Sequence, residues 1–169
     1  MNSASFLRLA NQTAIVTGAG SGIGAGIAKA FASQGCNVLV ADCNRDAVKN
    51  TVNNCKDLST VEGFYPPAQI DYILCDVTKK AHVIKMIERA DELAFRFNKT
   101  WKEHYIRENS NSSTSPQSDR SIYQIPPPVA SVLVNCAGIT RDNFSHNISE
   151  YDYDQVLDVN LKGTFLSCR

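Results

Sequence analysis

Short apolar runs alternate along this chain with longer stretches in which apolar residues recur every three or four positions, the pattern of parallel strands alternating with helices. Thr13–Val16 reads as a first buried strand. After a glycine-rich loop, Ile23, Ile27 and Phe31 recur on one helical face before Gly35 ends the helix. Val38–Ala41 predicts a second strand, a shorter helix follows from Arg45 to Asn54, and Asp57–Gln69, with Pro66 and Pro67, predicts a loop. Tyr72–Cys75 is a third strand. Thr78 can cap the next helix, whose apolar face is marked by Val83, Met86, Ile87, Ala90, Leu93, Ala94 and Phe97.

The pattern then breaks. Asn98–Pro128 is rich in Ser, Asn and charge, contains Trp101 and ends in three prolines, which predicts a disordered surface insertion; a partner-binding segment is the sharper alternative. Val129–Val134 resumes as a fourth strand, and Ser149 with Asp152 forms a capping box for a helix bearing Val156, Val159 and Phe165. The expected architecture is a doubly wound parallel α/β sheet of order 3-2-1-4, one domain over residues 1–169 that ends after its fourth strand and fourth helix.

Composition narrows the partners. Seventeen basic residues balance seventeen acidic ones, so no broad positive field favours nucleic acid or anionic lipid, and no apolar run is long enough to cross a bilayer. The six cysteines form no CxxC pair and His82, His104 and His146 do not cluster with them, so free thiols and no metal site are expected. Met1–Gln12 carries Arg8 and no acid, compatible with a weak mitochondrial presequence; otherwise the cytoplasm is expected.

The chemistry concentrates in Thr17–Gly24, which lies between the first strand and helix. There the backbone can approach a pyrophosphate and helix amides can point at it, and glycine is required because a Cβ would hold the phosphate away. Gly18, Ser21, Gly22, Ile23 and Gly24 are therefore candidate cofactor-binding residues. Asp42 closes the second strand where a carboxylate can accept hydrogen bonds from the adenosine ribose. A 2'-phosphate would meet like charge there, and neither Ser21 nor Cys43 is basic, so NAD is expected over NADP.

Gly18, Gly22 and Gly24 match TGxxxGxG rather than GxGxxG, and here the sequence resembles the short-chain dehydrogenase/reductase family, whose fold is Rossmann-like. Asp76-Val77, Asn135-Cys136-Ala137-Gly138 and Val159–Gly163 agree in order. The resemblance implies that Asp76 and Val77 contact adenine, that Asn135, Ala137 and Gly138 lie along the cofactor, and that Asn160 is a catalytic asparagine in a proton relay. Cys136 replaces the family's more usual second asparagine. Val16–Gly24, Val132–Phe144 and Val156–Phe165 are similar to members acting on (3R)-3-hydroxyacyl-CoA, 3-oxoacyl-acyl-carrier-protein and 17-beta-hydroxysteroids. This implies a small-molecule substrate, an acyl thioester or steroid, and a homo- or hetero-tetramer in the mitochondrial matrix.

The family's acid/base group is a tyrosine in a Tyr-xxx-Lys motif beside a serine. None of the six tyrosines here has lysine four residues on. Two readings stay open: an oxidoreductase whose chemical residues lie downstream, this chain being a fragment without activity of its own, and a short product that binds nucleotide or modulates dimers without catalysis.

Overall fold

The computed structural model describes residues 8–59, 67–109 and 129–169. Strands β1 (Thr13–Thr17), β2 (Asn37–Asp42), β3 (Ile70–Leu74) and β4 (Val132–Asn135) alternate with helices α1 (Gly22–Ser33), α2 (Arg45–Ser59) and α3 (Lys80–Asn109). They form one parallel sheet of order β3-β2-β1-β4. Register sets Thr17 beside both Ala41 and Asn135, so the carboxyl ends of the central strands lie level. That is the edge at which open α/β sheets bind ligands.

Side chains alternate across the sheet with the strand period of two. Ala14, Val16, Val38 and Val40 face one way and pack with Ala28, Ala32, Val48 and Val52 of α1 and α2. Ile15, Leu39 and Ala41 face the other way, onto Val83, Met86, Ala90 and Leu93 of α3. Strands covered on both faces read as continuous apolar runs, which is why β1 and β2 are conspicuous in the sequence.

Four expectations are corrected. The buried stripe of α1 is Gly24, Ala25, Ala28 and Ala32 rather than Ile23, Ile27 and Phe31; the latter two pack at its margin, and Ile23 is 79% exposed. Small residues let the helix approach the sheet closely, so the residues that pack most tightly are not the largest. Helix α2 runs to Ser59 instead of Asn54, because Val48, Val52, Cys55 and Ser59 continue one buried face through the polar composition.

Helix α3 likewise runs on to Asn109, so the expected insertion begins as ordered helix: Trp101, one turn beyond the fully buried Phe97, is only 9% exposed. Residues 110–128 of that stretch lie outside the described residues. Finally, the helix after Ser149 is not uniform. It comprises α4 (Glu150–Leu157), a π-helical segment at Asp158–Gly163, and α5 (Thr164–Cys168). Half of the expected capping box is present, Ser149 Oγ accepting from the Asp152 amide at 3.1 Å, while the Asp152 carboxylate accepts from the Ser149 hydroxyl at 2.7 Å rather than from its backbone amide.

Candidate dinucleotide site

The loop from β1 to α1 is shaped by what a Cβ would strike. Gly18 has φ +62°, and a Cβ there would lie 2.6 Å from the Ala137 backbone, so this glycine lets the loop lie directly on the turn after β4. At Gly24 a Cβ would come 2.4 Å from the Gly18 carbonyl. Gly22, at φ +53°, differs: nothing lies within 4 Å of its would-be Cβ. The loop is thus closed toward the protein at Gly18 and Gly24 and open outward at Gly22.

Ser21 precedes α1 with extended backbone and makes no side-chain cap, and the first turn of α1 carries no acid. The first helical bond comes from the Ala25 amide to the Ser21 carbonyl. The amides of Gly22, Ile23 and Gly24 precede it, and helix geometry leaves them without intrahelical acceptors. Amides so placed at a helix N-terminus are suited to meeting an anion.

Asp42, at the end of β2, is held from two sides: its Oδ2 accepts from the Gly20 amide and its Oδ1 from the Asn44 amide, both at 2.9 Å. A Cβ on Gly20 would sit 2.9 Å from that carboxylate. Each oxygen keeps lone-pair capacity for a further donor. Asp76, beyond β3, accepts from both the hydroxyl (2.7 Å) and the amide (3.0 Å) of Thr78. Burial pushes its pKa up, but those bonds, with Lys79 and His82 nearby, outweigh burial and hold it below the ordinary value. The neighbouring Val77 is 7% exposed and packs where a Cβ on Gly163 would strike it at 2.6 Å.

On the other side, Asn160 sits in the π-helical segment and grips Ile139 at both backbone atoms, accepting from its amide at 2.9 Å and donating to its carbonyl at 3.0 Å. Gly138 lies against the same amide group, a Cβ there falling 3.4 Å from Asn160 Oδ1. Asn135 Nδ2 donates to Cys168 Sγ at 3.3 Å. Beside this pin an open depression of about 280 Å³ is lined by Ile139, Thr140, Arg141, Tyr153, Val156 and Asn160 among others.

The structure therefore joins Gly18 to Ala137, Asp42 to Gly20, Val77 to Gly163, and Gly138 to Asn160. Ser21 and Ile23 stand exposed at the loop mouth. Sequence reading placed Thr17 at the head of the glycine motif but gave its side chain no role: its Oγ1, buried, accepts from the amides of both Cys136 and Ala137 at 3.2 Å and donates to the Val134 carbonyl at 3.4 Å, tying the glycine loop to the β4 turn. The available signals were its place as the threonine of TGxxxGxG and a polar residue where an apolar strand residue would serve. All six cysteines are free.

A parallel sheet with a glycine loop and a fixed carboxylate at its carboxyl edge is the arrangement in which doubly wound α/β folds hold dinucleotides. The short chain dehydrogenase family model matches residues 12–98, and the chain belongs to that family. It is 34% identical over 163 residues to a (3R)-3-hydroxyacyl-CoA dehydrogenase of Rattus norvegicus, covering 96% of this chain and 50% of that protein. It is 26% identical over 159 residues to the 3-oxoacyl-[acyl-carrier-protein] reductase FabG of Thermotoga maritima, covering 94% of this chain and 48% of that protein. A solved short-chain dehydrogenase/reductase from Mycobacterium marinum superposes with a TM-score of 0.66 at 21% identity, over 99% of this chain and 51% of that one. The chain spans about half the length of the curated relatives it matches.

Proposed function

We propose that this chain forms the adenosine and pyrophosphate side of an NAD site in an oxidoreductase that moves a hydride between NAD and a secondary alcohol or ketone. The substrate class is a (3R)-3-hydroxyacyl or 3-oxoacyl thioester, after the names of its relatives; 17-beta-hydroxysteroids are a further candidate. The supporting observation is the Asp42 carboxylate, fixed by two amides beside the glycine loop. Its remaining lone pairs suit two ribose hydroxyls, and its charge opposes a 2'-phosphate. The α1 amides and the open face at Gly22 suit a pyrophosphate. When bound, the dinucleotide supplies the hydride-carrying carbon.

Both ends of the Asn160 side chain are engaged with Ile139. Any part in moving a proton falls to its main-chain carbonyl, which accepts from Thr164 Oγ1 at 2.9 Å and has a second lone pair. The tyrosine and lysine of the family's acid/base motif are not among the 169 residues, so this chain alone is expected to bind without turnover, a deficit on the order of 10²–10⁴ for one acid/base group. The same reading places the working protein in the mitochondrial matrix as a tetramer; exposed Tyr151, Leu161 and Phe165 support an assembly face on α4–α5.

Calorimetric titration tests the cofactor reading. NAD is expected to bind more tightly than NADP, and Asp42→Ala is expected to remove that preference. Equal affinity of the wild type for both would sink the assignment of Asp42 to the ribose.

A further inference from the structure

Helix α3 has an outward face as ordered as its inward one. Ile84, Phe95 and Ile106 are 45%, 61% and 66% exposed. They recur every eleven residues, an interval that returns to one face of an α-helix after three turns. The fold does not need them, because Val83, Met86, Ala90, Leu93 and Phe97 already bury the opposite face.

Along the strip centred on Phe95, charge changes sign at that residue. Glu88 and Glu92 precede it; Lys99 and Lys102 follow it, and all four are exposed. Two of the pairs are symmetric and the third nearly so: Ile84 and Ile106 stand eleven residues either side of Phe95, Glu88 and Lys102 seven either side, and Glu92 and Lys99 three before and four after. A second α3 turned end for end about a two-fold axis at Phe95 sets isoleucine against isoleucine and each glutamate against a lysine. On the flank, Lys85 and Glu103 stand ten before and eight after, in the opposite order of charge, and come within two residues of each other across the axis. A parallel pair would set like charges together. The nearby arginines are tied down, Arg96 to Asp71 at 3.0 Å, and Arg89 to Asp71 at 2.8 Å and Glu92 at 3.0 Å.

We propose that this face of α3 pairs antiparallel with α3 of a second copy of the chain, Phe95 lying on the axis. The contact is isologous, as a two-fold requires. The seam from Ile84 to Ile106 runs roughly 33 Å. One helix-on-helix contact buries less than a standard stable interface, so the pair forms reversibly and at high protein concentration.

The test is sedimentation equilibrium of the 169-residue chain over a concentration series. A monomer–dimer equilibrium is expected, with Phe95→Glu raising the dissociation constant at least about tenfold while circular dichroism and Tm hold. Glu88→Lys and Lys102→Glu are each expected to weaken the dimer, and their combination to restore it. Phe95→Cys is expected to give a disulfide-linked dimer joined through position 95, identified by peptide mass spectrometry, and it carries the test should Phe95→Glu unfold. A chain that stays monomeric throughout would overturn the proposal. So would a dimer indifferent to Phe95→Glu and not cross-linked through position 95, which would assign self-association to α4–α5.

Discussion

Strands β1 and β2 are buried along their length except at Asp42, whereas all four residues of β4 are only partly covered, and α4 buries no residue. Different forces accordingly hold the two sides of the site. The glycine loop is positioned by close packing, with backbone on backbone at Gly18 and Gly24. The Asn160 side is positioned by polar pins: Asn160 on Ile139, Thr17 on the β4 turn and Asn135 on Cys168. Packing tolerates no added atom, while a pin is lost with one side chain. The glycine loop should therefore be rigid without ligand, and the Asn160 side easier to loosen.

The sharpest way to break this contrast is at Gly18. Gly18→Ala meets a left-handed φ and the Ala137 backbone together, so it is expected to cost about 2–5 kcal/mol in denaturant unfolding and to abolish NAD binding. Gly26→Ala is its control. That position is exposed in α1 with nothing within 4 Å of the added Cβ, and a gain of about 0.5–1 kcal/mol is expected. Equal stability of the two variants would show that sterics do not shape the loop.

Trp101→Ala comes next, at about 3 kcal/mol, because the ring is nearly buried on the extension of α3. A loss within about 0.5 kcal/mol, the ordinary surface range, would mean that this end of α3 does not pack on the core. A smaller effect is expected at Asn160→Ala, which removes two exposed hydrogen bonds worth about 1–2 kcal/mol together. Hydrogen exchange at the Ile139 amide should quicken while the amides of α1 stay unchanged, and a uniform rise across both regions would dissolve the contrast.

The smallest effect at neutral pH is expected from Cys36. Burial, opposed weakly by a backbone hydrogen bond, pushes its thiol up from 9.0 to about 12. Between those values the folded chain keeps a proton that the unfolded chain loses, so stability falls as pH rises from 9.0 toward about 12. Cys36→Ala should flatten that part of the profile relative to the wild type in parallel melts. An unchanged alkaline slope would mean that the thiol is not the group responsible.

What could be read in the sequence followed from local demands. Gly18, Gly22 and Gly24 are legible because strand, loop and helix signals adjoin them, and Asp42 because it closes an apolar strand at a telling distance. The buried face of α1 was misread, since apolar periodicity highlights Ile23 while close approach to a sheet selects alanine. The end of α3 was misread because a polar composition hid a single buried tryptophan one turn past Phe97. The role of the Thr17 side chain went unrecognised because its partners come from β4 and the turn after it, more than a hundred residues away in the chain.

By itself the amino-acid sequence determined the alternation of strands and helices, the parallel sheet with its carboxyl-edge loop, and the acidic residue beside that loop. Each of these rests on backbone geometry or on apolar periodicity within a few turns. Only the tertiary structure decided which glycines are closed in and which faces outward, that Asp42 is held by Gly20 and Asn44, and that Asn160 grips Ile139 from a π-helical segment. Those outcomes depend on how closely distant backbones approach, and approach distance is a property of the packed layers rather than of any stretch of chain.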